Sequence, residues 1–173
     1  MGRMLIVYHS RSGYTRTVAR HLAARLGADL DEIRIVQPMD GVLGYAACAI
    51  EAMAGLAPAL RPMRHKPGDY DLVIVGTPVW FWSLSSPVRG WLEKFGRRGK
   101  RLAFFCTMGG SGASRVFDAM EDLAGREPIA TLALTDDEVE AHARAKLDAF
   151  VQDIRAGTSS RRTVHAGAVH APA

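Results

Sequence analysis

Short runs of uninterrupted apolar residues, each followed by a stretch of helical periodicity, constrain this chain more than any other feature. Met4-Leu5-Ile6-Val7-Tyr8, Leu72-Val73-Ile74-Val75-Gly76 and the run from Leu102 to Cys106 show no polar alternation. A strand reads this way when both of its faces are buried, as in a parallel sheet covered by helices on each side. The segments between them have the matching period. Val18, Leu22 and Leu26 lie four apart, and Gly27 ends that helix. From about Pro87, Val88, Trp91, Leu92 and Phe95 form an i, i+3, i+4, i+7 stripe. Val116, Phe117, Met120 and Leu123 form another. The residues from Asp31 to Val36 read as a more exposed second strand, and those from Ile129 to Leu134 as the fifth. One last helix is predicted from about Asp136, carrying Val139, Ala143, Leu147, Phe150 and Ile154, with Gly157 as its stop.

Five strands alternating with helices predict an α/β fold, a three-layer α/β/α sandwich on a five-stranded parallel sheet. Right-handed crossovers leave few topologies, and the order 2-1-3-4-5 suits a chain this short. The domain is expected to span residues 1–157. Within it, residues 37–66 are an insertion between strands two and three. A helix-like stretch over 42–53 precedes Pro58, Pro62 and Pro67, longer than a crossover needs, and suggests a flap or a contact in a homodimer. Residues 158–173, rich in Ser, Ala, Gly and Arg, read as a flexible C-terminal tail.

Charge and composition exclude several classes. The net charge is +4, but no Lys/Arg run exceeds two residues and no aromatic residues interleave a basic stripe, so no nucleic-acid partner is expected. No apolar stretch approaches 18 residues, so no membrane span is expected. Met1-Gly2-Arg3 runs directly into the first strand, which leaves no room for a signal peptide. With Cys48 and Cys106 as the only cysteines, free thiols in a reducing, cytoplasmic setting are the simpler reading. None of the six histidines stands with a second ligand type at metal spacing, so no metal site is expected.

In an open parallel sheet, ligands bind beyond the carboxyl ends of the strands where the order reverses. Here that crevice lies between strands one and three, with strand four beside it. The loop Ser10-Arg11-Ser12-Gly13-Tyr14-Thr15 joins a buried strand to a helix N-terminus, whose unpaired N–H groups and dipole favour an anion. Ser10, Ser12 and Thr15 add hydroxyl donors, and Gly13 permits close approach. This suits a phosphate monoester held without a metal; equally, Thr15 could simply cap the helix. The Gly-Lys-Ser/Thr ending of a nucleotide P-loop is missing. The second loop, from Gly76 to Pro87, places Trp80, Phe81 and Trp82 in a row behind Pro78. They would cover a planar ligand, or pack on the following helix or on a second subunit. In the third, Thr107-Met108-Gly109-Gly110-Ser111-Gly112, paired glycines let a flat ligand lie against the main chain. A dinucleotide fingerprint there fails at Arg115, and a nucleophile elbow fails at Ala113.

These three loops resemble those of the flavodoxin-like FMN-binding family. The first matches its Ser/Thr, any, Ser/Thr, Gly, any, Thr pattern at every position. Thr77-Pro78-Val79-Trp80-Phe81-Trp82 is similar to the second FMN loop, and Thr107-Met108-Gly109-Gly110 to the third. The resemblance covers roughly residues 4–154. It implies that Ser10, Arg11, Ser12, Gly13, Tyr14 and Thr15 hold the FMN phosphate. It further implies that Pro78, Val79, Trp80, Phe81 and Trp82, with Thr107, Met108, Gly109 and Gly110, bracket the isoalloxazine ring. No catalytic side chain is implied, because the flavin carries the redox chemistry.

Electron carriers of this type are typically acidic and lack the 37–66 insertion. Both departures favour an FMN-dependent oxidoreductase that takes electrons from NAD(P)H and reduces a quinone or another small electron acceptor. The alternative is a non-enzymatic carrier serving a redox partner protein. A flavin-free binding module is the weaker alternative, and the intact first loop argues against it. Cys106 and Cys48 read as small hydrophobes, His9 as a strand-end residue beside the phosphate loop, and Arg11 and Arg16 as positive charge near it or as solvated surface charges, the simpler reading for Arg16.

Overall fold

The computed structural model describes residues 2–36 and 58–157. The helix-like stretch over 42–53, Cys48 and the tail lie outside them. Five parallel strands form the sheet: β1 (Met4–Tyr8), β2 (Asp29–Glu32), β3 (Leu72–Trp80), β5 (Leu102–Met108) and β6 (Thr131–Thr135). Their spatial order is β2-β1-β3-β5-β6, the order expected from the sequence. A sixth, two-residue strand, β4 (Ser83–Leu84), pairs antiparallel with the end of β3.

The continuous apolar runs are explained by burial on both faces. Along β1, Met4, Ile6 and Tyr8 enter one core and Leu5 and Val7 the other. The first core is closed by α1 (Tyr14–Leu26), α4 (Asp136–Glu140) and α5 (Arg144–Gly157) through Val18, Leu22, Val139, Phe150 and Ile154. The second is closed by α2 (Ser86–Phe95) and α3 (Ala113–Ala124) through Val88, Trp91, Leu92, Val116 and Met120. Full burial of a Leu- or Ile-sized side chain contributes about 1.5–3 kcal/mol, so each layer is held mainly by these residues. Gly76 has a packing reason: a Cβ there would lie 2.0 Å from Cζ of Phe105.

Four local expectations are revised. First, β2 lies earlier and is shorter than the run from Asp31 to Val36. The Asp31 carboxylate accepts the N–H groups of Arg64 and His65 at 2.7 and 2.9 Å, and Ile35 bridges antiparallel to Leu60. These bonds draw the chain off the parallel ladder after Glu32. Second, β3 runs on to Trp80, so the second loop begins as strand. Third, α1 starts at Tyr14 with Gly13 as its N-cap, so Thr15 lies inside the helix instead of capping it. Fourth, the last helix is two. Thr135 and Glu138 form a capping box that opens α4, and His142 at φ 63° ends it. The N–H groups of His142 and Ala143 return to the carbonyls of Val139 and Glu138, a Schellman closure with histidine where glycine is usual.

Candidate functional site

The register brings the three loops to one edge. Tyr8 pairs with Gly76, and Pro78 pairs with Thr107, so β1, β3 and β5 deliver their carboxyl ends side by side.

The first loop is organised by Ser10. Its side chain is buried, and its Oγ accepts the N–H groups of Gly13 and Arg16, both at 3.2 Å. A helix start leaves four N–H groups without intrahelical acceptors, here those of Gly13, Tyr14, Thr15 and Arg16. Ser10 satisfies the first and last of these. The N–H groups of Tyr14 and Thr15 remain for an incoming anion, at the positive end of the helix dipole. A serine hydroxyl that accepts two bonds still has its own proton to donate. Gly13 makes the turn at φ 104°, with nothing within 4 Å of where a Cβ would sit. Arg11 and Ser12 are exposed at the tip.

Thr15 ties the first loop to the third. Its Oγ1 lies 2.8 Å from Oγ1 of Thr107, with both residues buried. Beyond Thr107, Met108 is half-buried while Gly109 and Gly110 are exposed. A Cβ on either glycine would meet no atom within 4 Å, and neither has positive φ. The chain's own conformation therefore does not call for glycine here; the open space above the backbone does the explaining. Gly112 differs. At φ 108° it caps α3, and a Cβ would lie 3.0 Å from Cγ1 of Val79 and 3.1 Å from Cα of Trp82, so the second and third loops are packed together.

The second loop is a tight hairpin. Val79 pairs with Leu84 and Trp80 with Ser83, which leaves Phe81 and Trp82 as the two-residue turn. Both have positive φ, 47° and 57°, the signature of a type I′ turn that normally selects Asn-Gly. Two bulky aromatics in that conformation are strained, and such strain concentrates at functional sites. Phe81 is 90% exposed and Trp82 60%. The indole N–H of Trp82 donates to Ser111 Oγ at 2.9 Å. Trp80 is half-buried and meets His9 edge to face at 5.6 Å. None of the three enters the core: Trp80 packs against His9, and Trp82 lies against Gly112 and Ser111 of the third loop. Pro78 and Val79 are half-buried at the strand end, and Thr77 Oγ1 meets Ser85 Oγ at 2.9 Å beneath them.

Electrostatics near the first loop are set by few groups. Burial pushes the Glu32 carboxyl up, but hydrogen bonds from Arg16 and Arg34 more than reverse this and hold it below its usual value. Burial holds the His9 imidazole below its usual value, and Nδ1 lies 2.9 Å from the Ile33 carbonyl. Tyr14 donates to Glu140 Oε1 at 2.6 Å, which raises the phenol. Glu140, Ser111 and Ser85 were not singled out from the sequence. The readable signal for the first was the Thr135–Glu138 capping box, which places a helix at the mouth of the site. Cys106 is fully buried and its thiol is pushed up to about 12 by burial, as suits a packing residue. Among the described residues no cluster of His, Cys, Asp or Glu could hold a metal ion.

Comparison with known proteins agrees with this geometry. The family model described as flavodoxin matches residues 3–154. A flavoprotein from Lactobacillus acidophilus, solved in complex with FMN, is 23% identical over 82% of this chain and 98% of its own, with a TM-score of 0.65. A protein from Bacteroides eggerthii is 24% identical over 87% of this chain and 98% of its own, TM-score 0.68. The apo form of an NADH:FMN oxidoreductase is 17% identical over 87% and 89%, TM-score 0.51. At these identities the structures show a shared fold, and the family match covers most of the sequence: the chain belongs to the flavodoxin family.

Proposed function

We propose that this chain binds FMN across the three loops and is an oxidoreductase that takes electrons from NAD(P)H and passes them to a quinone or another small acceptor. One observation carries the cofactor reading. The two N–H groups left over at the start of α1, the open backbone at Gly109-Gly110 and the strained aromatic turn at Phe81-Trp82 converge on one crevice. Together they offer N–H donors to a phosphate and an open backbone beside aromatic side chains to a flat ring, which are the two ends of FMN. The phosphate sits on the N–H groups of Tyr14 and Thr15 with the Ser10 hydroxyl, flanked by Ser12, Gly13 and Arg11. The ring lies between the segments 78–82 and 107–110.

FMN supplies the electron-transfer chemistry when bound. The chain's residues bind and orient it. The Thr15–Thr107 contact fixes the phosphate end relative to the ring end, and the Trp82–Ser111 bond holds the aromatic turn over the glycines. No side-chain acid or base is required at the ring. The NADH:FMN oxidoreductase of the same fold and the basic charge of this chain support an enzyme. The exposed Phe81 and Trp82 favour the second reading, a carrier that docks a partner protein through this turn.

The test is a visible spectrum of purified protein before and after FMN, then after anaerobic NADPH or NADH. Flavin absorbance that bleaches with either nucleotide supports the enzyme. Flavin that bleaches only with an added reductase supports the carrier, and protein that never takes up flavin overturns both.

A further inference from the structure

The opposite edge of the sheet from the crevice carries a recess of its own. A 3₁₀ turn, Pro67–Asp69, leads into β3, and Arg98 closes a second such turn before β5. A cavity of about 320 Å³ opens between them, lined by apolar Met63, Pro67 and Phe95 and by charged Lys66, Asp69 and Arg98. The seven residues of β5, at about 3.3 Å each, put roughly 23 Å between this recess and the crevice.

The wall is fixed before anything enters it. The Asp31 carboxylate accepts the N–H groups of Arg64 and His65, and the Tyr70 N–H returns to the Pro67 carbonyl at 3.2 Å. The buried Tyr70 hydroxyl donates to Asp29 Oδ2 and meets His65 Nδ1, both at 2.7 Å. Met63 and Phe95 pack on the second core. An occupant therefore meets a preorganised surface.

The cations of this edge fall into two groups. One group serves the fold. Lys100 pairs with Asp71 at 2.9 Å, Arg101 donates to the Gly157 carbonyl at 3.1 Å, and Arg126 donates to the carbonyls of Gly99 and Lys100 at 2.7 and 2.9 Å. The other group is Lys66, Lys94 and Arg98, all exposed. Among the described residues no carboxylate pairs with any of them, Asp69 included. Lys94 Nζ and Arg98 Cζ each lie 5.4 Å from the centre of the Phe95 ring, so cation–π attraction gathers both charges beside the apolar lining. Three cations against Asp69 leave the recess positive.

An apolar hollow bordered by unpaired cations is the complement of an apolar side chain carried between carboxylates: a buried anchor with a charged rim. A nucleic-acid base would need an open aromatic face, and two cations already approach the Phe95 ring. A lipid surface would need an outward apolar helix face, and α2 turns Val88, Trp91 and Leu92 into the core.

We propose that this recess docks an acidic segment of a partner protein. The segment inserts one aromatic or aliphatic anchor beside Met63, Pro67 and Phe95 and sets its carboxylates on Lys66, Lys94 and Arg98. Because the crevice lies at the other edge, it stays open in the complex, and the partner tethers the chain without covering the place where electrons are exchanged.

Fluorescence anisotropy of the full chain tests this. The probe is a fluorescein-labelled peptide of glutamates around one central phenylalanine, in about 50 mM salt, where exposed charges are only partly screened. Alanine in place of that phenylalanine should weaken binding at least about tenfold, the effect of burying one large apolar side chain. Arg98→Glu and Lys66→Glu should each weaken the phenylalanine peptide about tenfold. Arg20→Glu, the same change of charge at an exposed position of α1, should leave its affinity within about twofold. Circular dichroism checks folding in each variant, and unchanged flavin absorbance separates this surface from the FMN site. No measurable binding of the peptide overturns the proposal. So does an affinity indifferent to the phenylalanine, an equal loss in Arg20→Glu, or tighter binding of a single-stranded oligonucleotide or of phosphatidylserine vesicles than of the peptide.

Discussion

Replacing Phe81-Trp82 by Asn-Gly should make the empty protein more stable and its cofactor weaker. A bulky residue held at positive φ costs on the order of 1 kcal/mol, so the two turn residues store about 2 kcal/mol between them. Asn-Gly adopts the type I′ turn without that strain. Against this stands the Trp82–Ser111 hydrogen bond, which is exposed and contributes about 0.5–1 kcal/mol. The net gain is about 1–1.5 kcal/mol, or a Tm higher by about 2–6 °C in a chain of this size. Loss of two aromatic contacts to the ring, at about 0.5–1.5 kcal/mol each, weakens FMN roughly five- to hundredfold. Thermal unfolding of flavin-free protein reads the first number, and quenching of FMN fluorescence on titration reads the second. A double variant with an unchanged or lower Tm refutes the strain argument. Undiminished FMN affinity refutes the placement of the ring at this turn.

Other substitutions test the remaining parts. Ser10→Ala leaves the N–H groups of Gly13 and Arg16 without their acceptor and should cost about 1 kcal/mol of stability. In the same variant FMN should weaken while riboflavin, which has no phosphate, should not; a parallel loss for both places the phosphate elsewhere. Gly110→Ala should leave flavin-free stability unchanged within about 0.5 kcal/mol yet weaken FMN, since the added methyl enters open space above the chain; wild-type FMN affinity would count against the cradle. His9 titrates below its ordinary 6.5 in the folded chain, so the unfolded chain binds the extra proton and stability is lost as pH falls below that value. Denaturant titrations of His9→Phe should show a flatter stability profile as pH falls below 6.5, and a profile of wild-type shape would refute the assignment. Cys106, titrating at about 12, should resist iodoacetamide at about pH 8 until the protein is unfolded, as read by peptide mapping.

The sheet was legible because burial on both faces leaves a signature that needs no tertiary information: β1, β3 and β5 appear as unbroken apolar runs. The loops were legible in position for the same reason, since they follow those strands. Their internal geometry was not. The bonds by which Ser10 Oγ takes the N–H groups of Gly13 and Arg16, leaving Thr15 inside α1, depend on how a serine three residues before Gly13 folds back, and spacing alone does not reveal this. The hairpin at Phe81-Trp82 carries none of the Asn or Gly that normally announces a type I′ turn. The break at His142 likewise lacks a glycine or proline, and rests on backbone bonds that sequence patterning does not reveal. At β2, the Asp31 carboxylate is a contact made 33 residues along the chain, beyond any local rule.

The Thr15–Thr107 contact has a consequence for how the crevice comes to order. It joins loops from two strands that are separated by β3, and it is made by the chain's own side chains. A lock of this kind is set as the chain folds, so a ligand entering the crevice has that much less of it left to order.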